Sequence, residues 1–349
     1  MSPKLGLSES EIRLRYNEEL IDLKSKIVQS QRALEEYKAS HGSIAVLMDA
    51  IKDEVKLLPV PKAVAIVNQK KNKVETPCGV CFLISDSHYG AVQNKSEVEG
   101  FGEYSPELCE SRSYEYIRRA VNWVTVHRMS YKVDTAYVLV AGDLISGDIL
   151  LELQVTNAFP SPVQTVGTAK ILSNQISELS RHFKNVVVHF VTEDNHARLT
   201  KKPQAKEAGL NSFNYIVGEL SKIMLKDHKN VEFNIYPQYE VVVNVEGRRY
   251  LLMHGHGVSG WMGFPYYGIE RKVSKEAFKR MNGPDATKFH RVIMGHWHAP
   301  MAHPLFWIGG SVQGTDAYDH KAGRHAEPSQ AAWFVHPKYG EFDRTDFGL

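Results

Sequence analysis

Three short apolar runs, each rich in β-branched residues and each ending just before polar residues, constrain the fold of this 349-residue chain most strongly. They are VCFLIS (80–85), AYVLVA (136–141) and NVVVHFVT (185–192), and stretches with helical spacing at 111–128 and 163–183 separate them. The alternation of strand, helix and strand predicts a mainly α/β domain. Farther along, YEVVVNV and RRYLLMH indicate two strands around a tight turn at Glu246-Gly247, and RVIMG and AAWFV add more strand.

Residues of the types that bind metals follow five of these predicted strands directly. They are Asp86-Ser87-His88, Gly142-Asp143, Glu193-Asp194-Asn195-His196, His254-Gly255-His256 and Gly295-His296-Trp297-His298. In open α/β sheets the carboxyl ends of the strands converge on one crevice, so groups that are distant in sequence can meet in one site. Carboxylate, imidazole and amide oxygen together form a donor set that suits Mn, Fe, Zn or Ni better than Ca or Mg alone.

The order of these motifs resembles the calcineurin-like metallophosphoesterase superfamily: D-x-H, G-D, N-H, H and then G-H-x-H, across residues 86 to 298. The resemblance implies a four-layer α/β/β/α metallophosphoesterase sandwich, in which helices flank two β-sheets and a dinuclear metal centre lies at the rim. Within the superfamily the chain is similar to phage and prophage phosphoesterases, which are loosely related to the nuclease subunit of DNA double-strand-break repair complexes.

Carried over motif by motif, the resemblance implies seven ligands for two divalent metal ions, with Mn favoured and Fe, Zn, Ni or Mg as alternatives. The first ion would be held by Asp86, His88 and His298. The second ion would be held by Asn195, His254 and His296. Asp143 would bridge the two ions, because an anion with two oxygens comfortably spans a pair of cations.

The resemblance also implies a mechanism, in which the two cations clamp an in-line displacement and a hydroxide bridging them is the nucleophile. His196 matches the family's histidine that binds no metal, and it would protonate the leaving alkoxide or steady charge on the phosphoryl oxygens. The third motif departs from the family pattern, since Asp194 stands in place of the usual glycine and Ala197 in place of the usual acid. His196 therefore lacks the acidic neighbour that usually orients it.

Basic residues follow this third motif, and they predict contacts with phosphate. Arg198 comes directly after Ala197, and Lys201 and Lys202 follow. The expected catalytic residues are His196, Asp143 and Arg198. The expected substrate-binding residues are Arg198, Lys201 and His256, where His256 is either beside the ligands or facing the substrate.

Residues 1–76 are expected to form an N-terminal helical extension and linker, followed by the metallophosphoesterase domain at 77–349. Residues 8 to 41 carry a narrow apolar stripe at steps of three and four, flanked by charges. Such a helix either packs along the flank of its own domain or forms a self-association arm, which would make the protein a homo-oligomer. An insertion at the rim of the site is expected at 89–110.

Composition excludes several classes of protein. A hydrophobic fraction of 43% and a charged fraction of 23% exclude a mostly disordered chain, and 42 basic against 40 acidic residues argue against a wholly basic surface. No apolar run approaches the roughly 18 residues of a membrane helix, and the N-terminus has no signal-peptide core. Three cysteines cannot build a disulfide framework. The sequence therefore predicts a cytoplasmic protein without a membrane partner.

These features together predict a dinuclear metal-dependent phosphoesterase, favouring a phosphodiesterase or nuclease that acts on DNA or nucleotides. The nucleic-acid substrate rests on the family likeness alone. A phosphomonoesterase or protein phosphatase would use the same ligands. A third interpretation is a non-enzymatic assembly protein, in which the N-terminal helix is the functional element and the metal centre is structural.

Overall fold

The computed structural model describes residues 76–258 and 264–349 of the chain. The helix predicted at 8–41, with both of its possible roles, and all but the last residue of the predicted extension at 1–76 lie outside the described residues. Within them the chain forms two β-sheets and six α-helices, which confirms the predicted α/β class. No helix in this part of the chain is long and apolar enough to cross a membrane.

The first sheet contains the three strands that the sequence predicted first. Its parallel strands are β1 (Pro77–Ile84), β2 (Lys132–Val140), β3 (Asn185–Val191) and β4 (Val231–Tyr236). Its antiparallel strands are β10 (Ser329–His336) and β11 (Gly340–Gly348), and the order across the sheet is β11-β10-β1-β2-β3-β4. Parallel neighbours need long crossovers, and helices supply them here. They are α1 (Pro106–His127), α2 (Leu151–Thr156), α3 (Ser161–His182) and α4 (Phe213–Met224).

The second sheet has five strands. They are β5 (Glu240–Val245), β6 (Arg248–Met253), β7 (Arg291–Met294), β8 (Met301–Ala302) and β9 (Phe306–Ile308), in the order β5-β6-β7-β9-β8. The three central strands are parallel, and the two edge strands are antiparallel to their neighbours. The remaining helices are α5 (Tyr266–Met281), between β6 and β7 in the chain, and α6 (Ala317–Lys321), before β10.

Buried side chains on both faces explain why these strands have nearly continuous apolar sequences. Along β6, Leu252 belongs to a core cluster that contains residues of both sheets, among them Leu83 of β1. The neighbouring residue Leu251 points to the opposite face, where it packs with Ile269 and Val273 of α5. The inner faces of the two sheets therefore share one core, and α5 covers an outer face.

Backbone hydrogen bonds join the loops at the ends of neighbouring strands. The N–H of Asp86 donates to the carbonyl of Gly142 across 3.0 Å, which ties the loop after β1 to the loop after β2. In the second sheet the N–H of Gly295 donates to the carbonyl of His254 across 3.0 Å. The predicted motifs are thus fixed to one another by backbone contacts at the carboxyl ends of the strands.

The region of the predicted insertion at 89–110 is a loop followed by the start of α1. The loop contains a short 3₁₀ helix at Lys95–Val98, and Ser105 caps α1 by accepting the N–H of Leu108. The side chain of Gln93 accepts the N–H of Ala317 at the start of α6 across 2.9 Å. This loop therefore packs against the segment that precedes β10.

Candidate metal centre

The structure brings the seven predicted ligands together at the carboxyl ends of the strands. Among the described residues, four groups of side chains have ligand atoms within 4.8 Å of one another: Asp86 with His88 and His298, His88 with Asp143 and His196, Asp143 with His254 and His296, and His298 with Asp316 and Asp319. The seventh predicted ligand, Asn195, places its Oδ1 2.9 Å from Nε2 of His254. The side chains thus fall into the two groups that the family resemblance implies. Their roles as ligands remain predictions.

The first group, Asp86 with His88 and His298, is buried and contains a carboxylate oxygen without a hydrogen-bond partner among the described residues. Nε2 of His88 lies 3.0 Å from Nε2 of His298, which in turn lies 3.8 Å from Oδ1 of Asp86. Oδ2 of Asp86 is buried without a hydrogen-bond partner among the described residues. Burial raises the pKa of Asp86 and lowers the pKa of His88. An unpaired buried carboxylate oxygen is costly, so these donors suit a bound cation.

Asp143 connects the two groups. Its Oδ2 lies 3.0 Å from Nε2 of His254, 3.9 Å from Nε2 of His88 and 4.0 Å from Nε2 of His196. Burial works against its ionised form, but the surrounding imidazoles outweigh burial and hold the pKa of Asp143 well below its usual range. One ionised oxygen therefore lies within reach of histidines from both groups, which is the position that a bridging ligand requires.

The backbone fixes the orientation of His254. Nδ1 of this ring lies 2.8 Å from the carbonyl oxygen of Ala141, and a carbonyl only accepts hydrogen bonds, so Nδ1 carries a proton. In the neutral imidazole Nε2 then carries a lone pair beside Oδ2 of Asp143 and Oδ1 of Asn195, so the three atoms together could bind a cation. Burial lowers the pKa of His254, but the charge of Asp143 outweighs it and raises that pKa to about 10. The electrostatic environment thus favours positive charge at this point.

Five of the predicted ligands have a left-handed backbone conformation. They are Asp86 (φ 51°), His88 (φ 42°), Asp143 (φ 48°), His296 (φ 72°) and His298 (φ 56°). Such φ values are uncommon for residues other than glycine, and they concentrate at functional sites, where the surrounding structure holds them. The positive φ values are concentrated at the predicted ligands, since only four other non-glycine residues in the described ranges have a positive φ.

His196 is oriented by the backbone instead of by an acid. Its Nδ1 lies 2.6 Å from the carbonyl oxygen of Ser146, so Nδ1 donates a hydrogen bond to that oxygen. Its Nε2 faces Asp143, 4.0 Å from Oδ2. The ring packs edge-on against His88, with centroids 4.7 Å apart. The carbonyl of Ser146 thus supplies the orientation that the missing acid at Ala197 supplies in the family pattern.

Asp194, the second departure in this motif, organises the loop around it. Its carboxylate accepts the backbone N–H groups of Asp143 at 2.7 Å, His196 at 3.1 Å and Ala197 at 2.7 Å. It also accepts the side-chain amide of Asn214. Burial, reinforced by the charge of Asp143, raises the pKa of Asp194 to about 6. Sequence reasoning noted this residue as an exception but did not predict its structural role.

The three predicted substrate-binding residues lie beside the centre, and their roles remain predictions. The guanidinium of Arg198 donates to the carbonyls of Thr200 at 3.1 Å and Lys201 at 3.4 Å, so its described contacts are within its own loop. Lys201 is exposed. Nε2 of His256 lies 3.3 Å from Oε1 of Glu193, and both residues line a hollow together with Arg198.

One residue in contact with a predicted ligand was not found from the sequence. Nδ1 of His298 lies 2.6 Å from Oδ2 of Asp319 at the start of α6. Burial lowers the pKa of His298, but the hydrogen bond and charge of Asp319 outweigh it and raise that pKa to about 9. The segment D-A-Y-D around Asp319 resembles an ordinary helix cap, and its only sequence signal is that capping pattern.

No protein-family model matches the chain, and no curated protein matches it. Among solved structures it is similar to vacuolar protein sorting 29 from Cryptosporidium parvum, with 15% identity over 78% of this chain and 99% of that chain and a TM-score of 0.32. It is also similar to a conserved uncharacterized protein, a predicted phosphoesterase, from Streptococcus pneumoniae TIGR4, with 12% identity over 79% and 100% of the two chains and a TM-score of 0.28. A third similar structure is the sulfate thiohydrolase SoxB from Thermus thermophilus, with 9% identity over 80% of this chain and 58% of that chain and a TM-score of 0.30. At these TM-scores the likenesses do not identify a function for this chain.

Proposed function

We propose that this protein is a dinuclear metal-dependent phosphoesterase of the calcineurin-like type, with its sheets and helices in the four-layer α/β/β/α arrangement. The observation that carries the proposal is the position of Asp143. Its Oδ2 lies 3.0 Å from Nε2 of His254 and 3.9 Å from Nε2 of His88. A single carboxylate between two groups of donors is the arrangement that a pair of cations needs.

The donors present fit two divalent cations, with Mn²⁺ as the favoured metal. The first group offers the unpaired Oδ2 of Asp86 and two imidazole nitrogens 3.0 Å apart, from His88 and His298. The second offers His254, His296 and the amide oxygen of Asn195, which lies 2.9 Å from Nε2 of His254. Bound there, the two cations supply an activated water and a clamp on the phosphoryl oxygens.

His196 is the residue that we propose moves a proton. Its Nδ1–H donates to the carbonyl oxygen of Ser146, so Nε2 is the nitrogen that is left to exchange a proton with the substrate or with water. About a quarter of its side chain is exposed, which leaves the ring accessible from the solvent side of the centre. In its protonated form Nε2 donates to the leaving oxygen, and in its neutral form it accepts a proton from water.

For the substrate we propose a phosphodiester of DNA or a nucleotide. The support is the N-H-A-R form of the third motif and the basic loop that follows it, with Arg198 and the exposed Lys201 as phosphate contacts. We further propose His256, on the wall of the adjacent hollow, as a contact with the remainder of the substrate. A phosphomonoesterase would use the same centre and is the alternative.

Hydrolysis assays test this function. The full chain with added Mn²⁺ is expected to hydrolyse bis(p-nitrophenyl) phosphate and to cut single- or double-stranded DNA, and Asp143→Asn is expected to abolish both activities. Asp285→Asn is the matched control, since its side chain is 88% exposed. Full activity in Asp143→Asn would remove the bridging role. Hydrolysis of p-nitrophenyl phosphate without hydrolysis of the diester would replace the phosphodiesterase with the phosphatase alternative.

A further inference from the structure

A buried hydrogen bond joins Asp319, which is not one of the seven predicted ligands, to the predicted ligand His298. Oδ2 of Asp319 lies 2.6 Å from Nδ1 of His298, and only 5% of the Asp319 side chain is exposed. Carboxylates accept and do not donate when ionised, so Nδ1 of His298 carries the proton of this hydrogen bond. In the neutral ring Nε2 is then left as a lone-pair donor, 3.0 Å from Nε2 of His88 and 3.8 Å from Oδ1 of Asp86.

Arg324 holds the carboxylate of Asp319 from its other side. Nε and Nη2 of Arg324 donate to Oδ1 of Asp319 across 2.9 Å and 2.7 Å. The backbone N–H of Arg324 donates to the carbonyl oxygen of Asp319 across 2.8 Å. Oδ1 of Asp319 accepts two hydrogen bonds from the guanidinium of Arg324, and Oδ2 accepts one from His298. These bonds fix the orientation of the Asp319 carboxylate. A buried charge with such partners is fixed and not free to rotate away.

The loop before α1 and α1 itself anchor the segment that carries Asp319. Gln93 of that loop accepts the N–H of Ala317, and Arg112 of α1 donates to the carbonyls of Val312 and Gln313 across 3.0 and 3.1 Å. The backbone N–H of Asp319 itself is accepted by Asp316 across 2.7 Å. The position of Asp319 is therefore determined by contacts on both sides of its short helix.

We propose that Asp319, fixed by Arg324, is a positioning residue that sets the ring orientation and the tautomer of His298 for binding the cation shared with Asp86 and His88. The inference rests on the proposed function, because it assumes that His298 is a metal ligand. An outer partner of this kind keeps the neutral, Nδ1-protonated ring aimed at the metal and raises the basicity of the ligating nitrogen. A role confined to folding would leave metal affinity unchanged.

Metal titration of the full, metal-free chain tests the proposal, with Mn²⁺ as the probe in calorimetry. The wild type is expected to bind two ions, and Asp319→Asn and Asp319→Ala are expected to bind one of them about 10- to 100-fold more weakly. Arg324→Gln is expected to weaken the same ion by a smaller factor. Asp285→Asn, which removes an exposed carboxylate, is the control and is expected to match the wild type.

A spectroscopic measurement separates positioning from folding. With Co²⁺ as the probe, the visible absorption of one of two bound ions is expected to change in Asp319→Asn, which preserves the shape of the side chain. Unchanged Mn²⁺ affinity and unchanged Co²⁺ absorption in Asp319→Asn would overturn the positioning role while leaving the phosphoesterase proposal intact. A wild-type chain that binds no divalent ion would overturn both.

Discussion

The carboxylate of Asp194 accepts the backbone N–H of Asp143 across 2.7 Å. Through this bond and those to His196 and Ala197, one buried side chain fixes the loop after β2 and the loop after β3 relative to each other. Asp194 therefore supports Asp143, the proposed bridging ligand, and His196, the proposed proton-transfer residue, together.

Replacing Asp194 with alanine is expected to lower the free energy of unfolding by about 2–4 kcal/mol, because it leaves several buried donors without an acceptor. Urea unfolding of the metal-free chain measures this loss. Asp227→Ala removes an exposed carboxylate and is expected to change stability little. Equal stabilities for the two variants would show that Asp194 does not hold the loops.

His196→Ala is expected to lower the rate of phosphodiester hydrolysis by about 10²- to 10⁴-fold while the protein keeps its full metal content. The reason is that Nδ1 of His196 is bound to the carbonyl oxygen of Ser146, which leaves Nε2, 4.0 Å from Oδ2 of Asp143, to move a proton in the proposed reaction. Turnover and elemental analysis are measured on the same sample. His336→Ala, at the end of β10, is the control histidine. Loss of a metal ion from His196→Ala would reassign the residue as a ligand.

The grouping of the seven predicted ligands could be predicted because each follows a strand, and parallel strands end at one edge of a sheet. The runs ending at Ser85, Ala141 and Thr192 are buried on both faces, which makes their apolar sequences easy to recognise. The family pattern then supplied the partition into two groups, which sequence spacing alone does not determine.

Contacts between distant segments could not be predicted. Asp319 is 21 residues from His298, and its local sequence indicates only a helix cap. The orientation of His196 depends on the carbonyl of Ser146, a group that every residue possesses, so no side-chain pattern signals it. Strand β11 alternates too weakly between apolar and polar residues to be recognised, and its place in the sheet depends on pairing with β10.

The stability of the protein is expected to fall as the pH decreases from about 6.5 to about 4, in part because of His189. Burial lowers the pKa of this histidine to about 4, and its Nε2 has no hydrogen-bond partner in the described ranges. Between these pH values the unfolded chain binds a proton that the folded chain does not, so the free energy of unfolding decreases by up to about 3 kcal/mol.

Urea unfolding of the wild type and of His189→Leu at pH 7, 6 and 5 measures this contribution. The difference in stability between the two proteins is expected to shift in favour of the variant at each lower pH. A difference that stays constant across the series would mean that His189 is protonated equally in the folded and unfolded chains.

Gly295→Ala is expected to weaken metal binding at the group formed by Asp86, His88 and His298. A Cβ at position 295 would come within 2.2 Å of Oδ2 of Asp86 and 2.9 Å of the side chain of Ser85, so the Asp86 carboxylate has to move. Displacing a ligand in this way is expected to lower the affinity for one of the two ions at least about 10-fold, and crowding in a packed site costs about 1–3 kcal/mol of stability.

Gly348→Ala provides a matched control, because a Cβ there meets no atom within 4 Å. Calorimetric titration with Mn²⁺ compares the two variants with the wild type. If Gly295→Ala bound both ions as tightly as Gly348→Ala, Oδ2 of Asp86 would not be part of a metal site, since no ligand could move that far and keep its affinity. Weakening confined to one ion would instead locate that ion beside Asp86, independently of any measurement of activity.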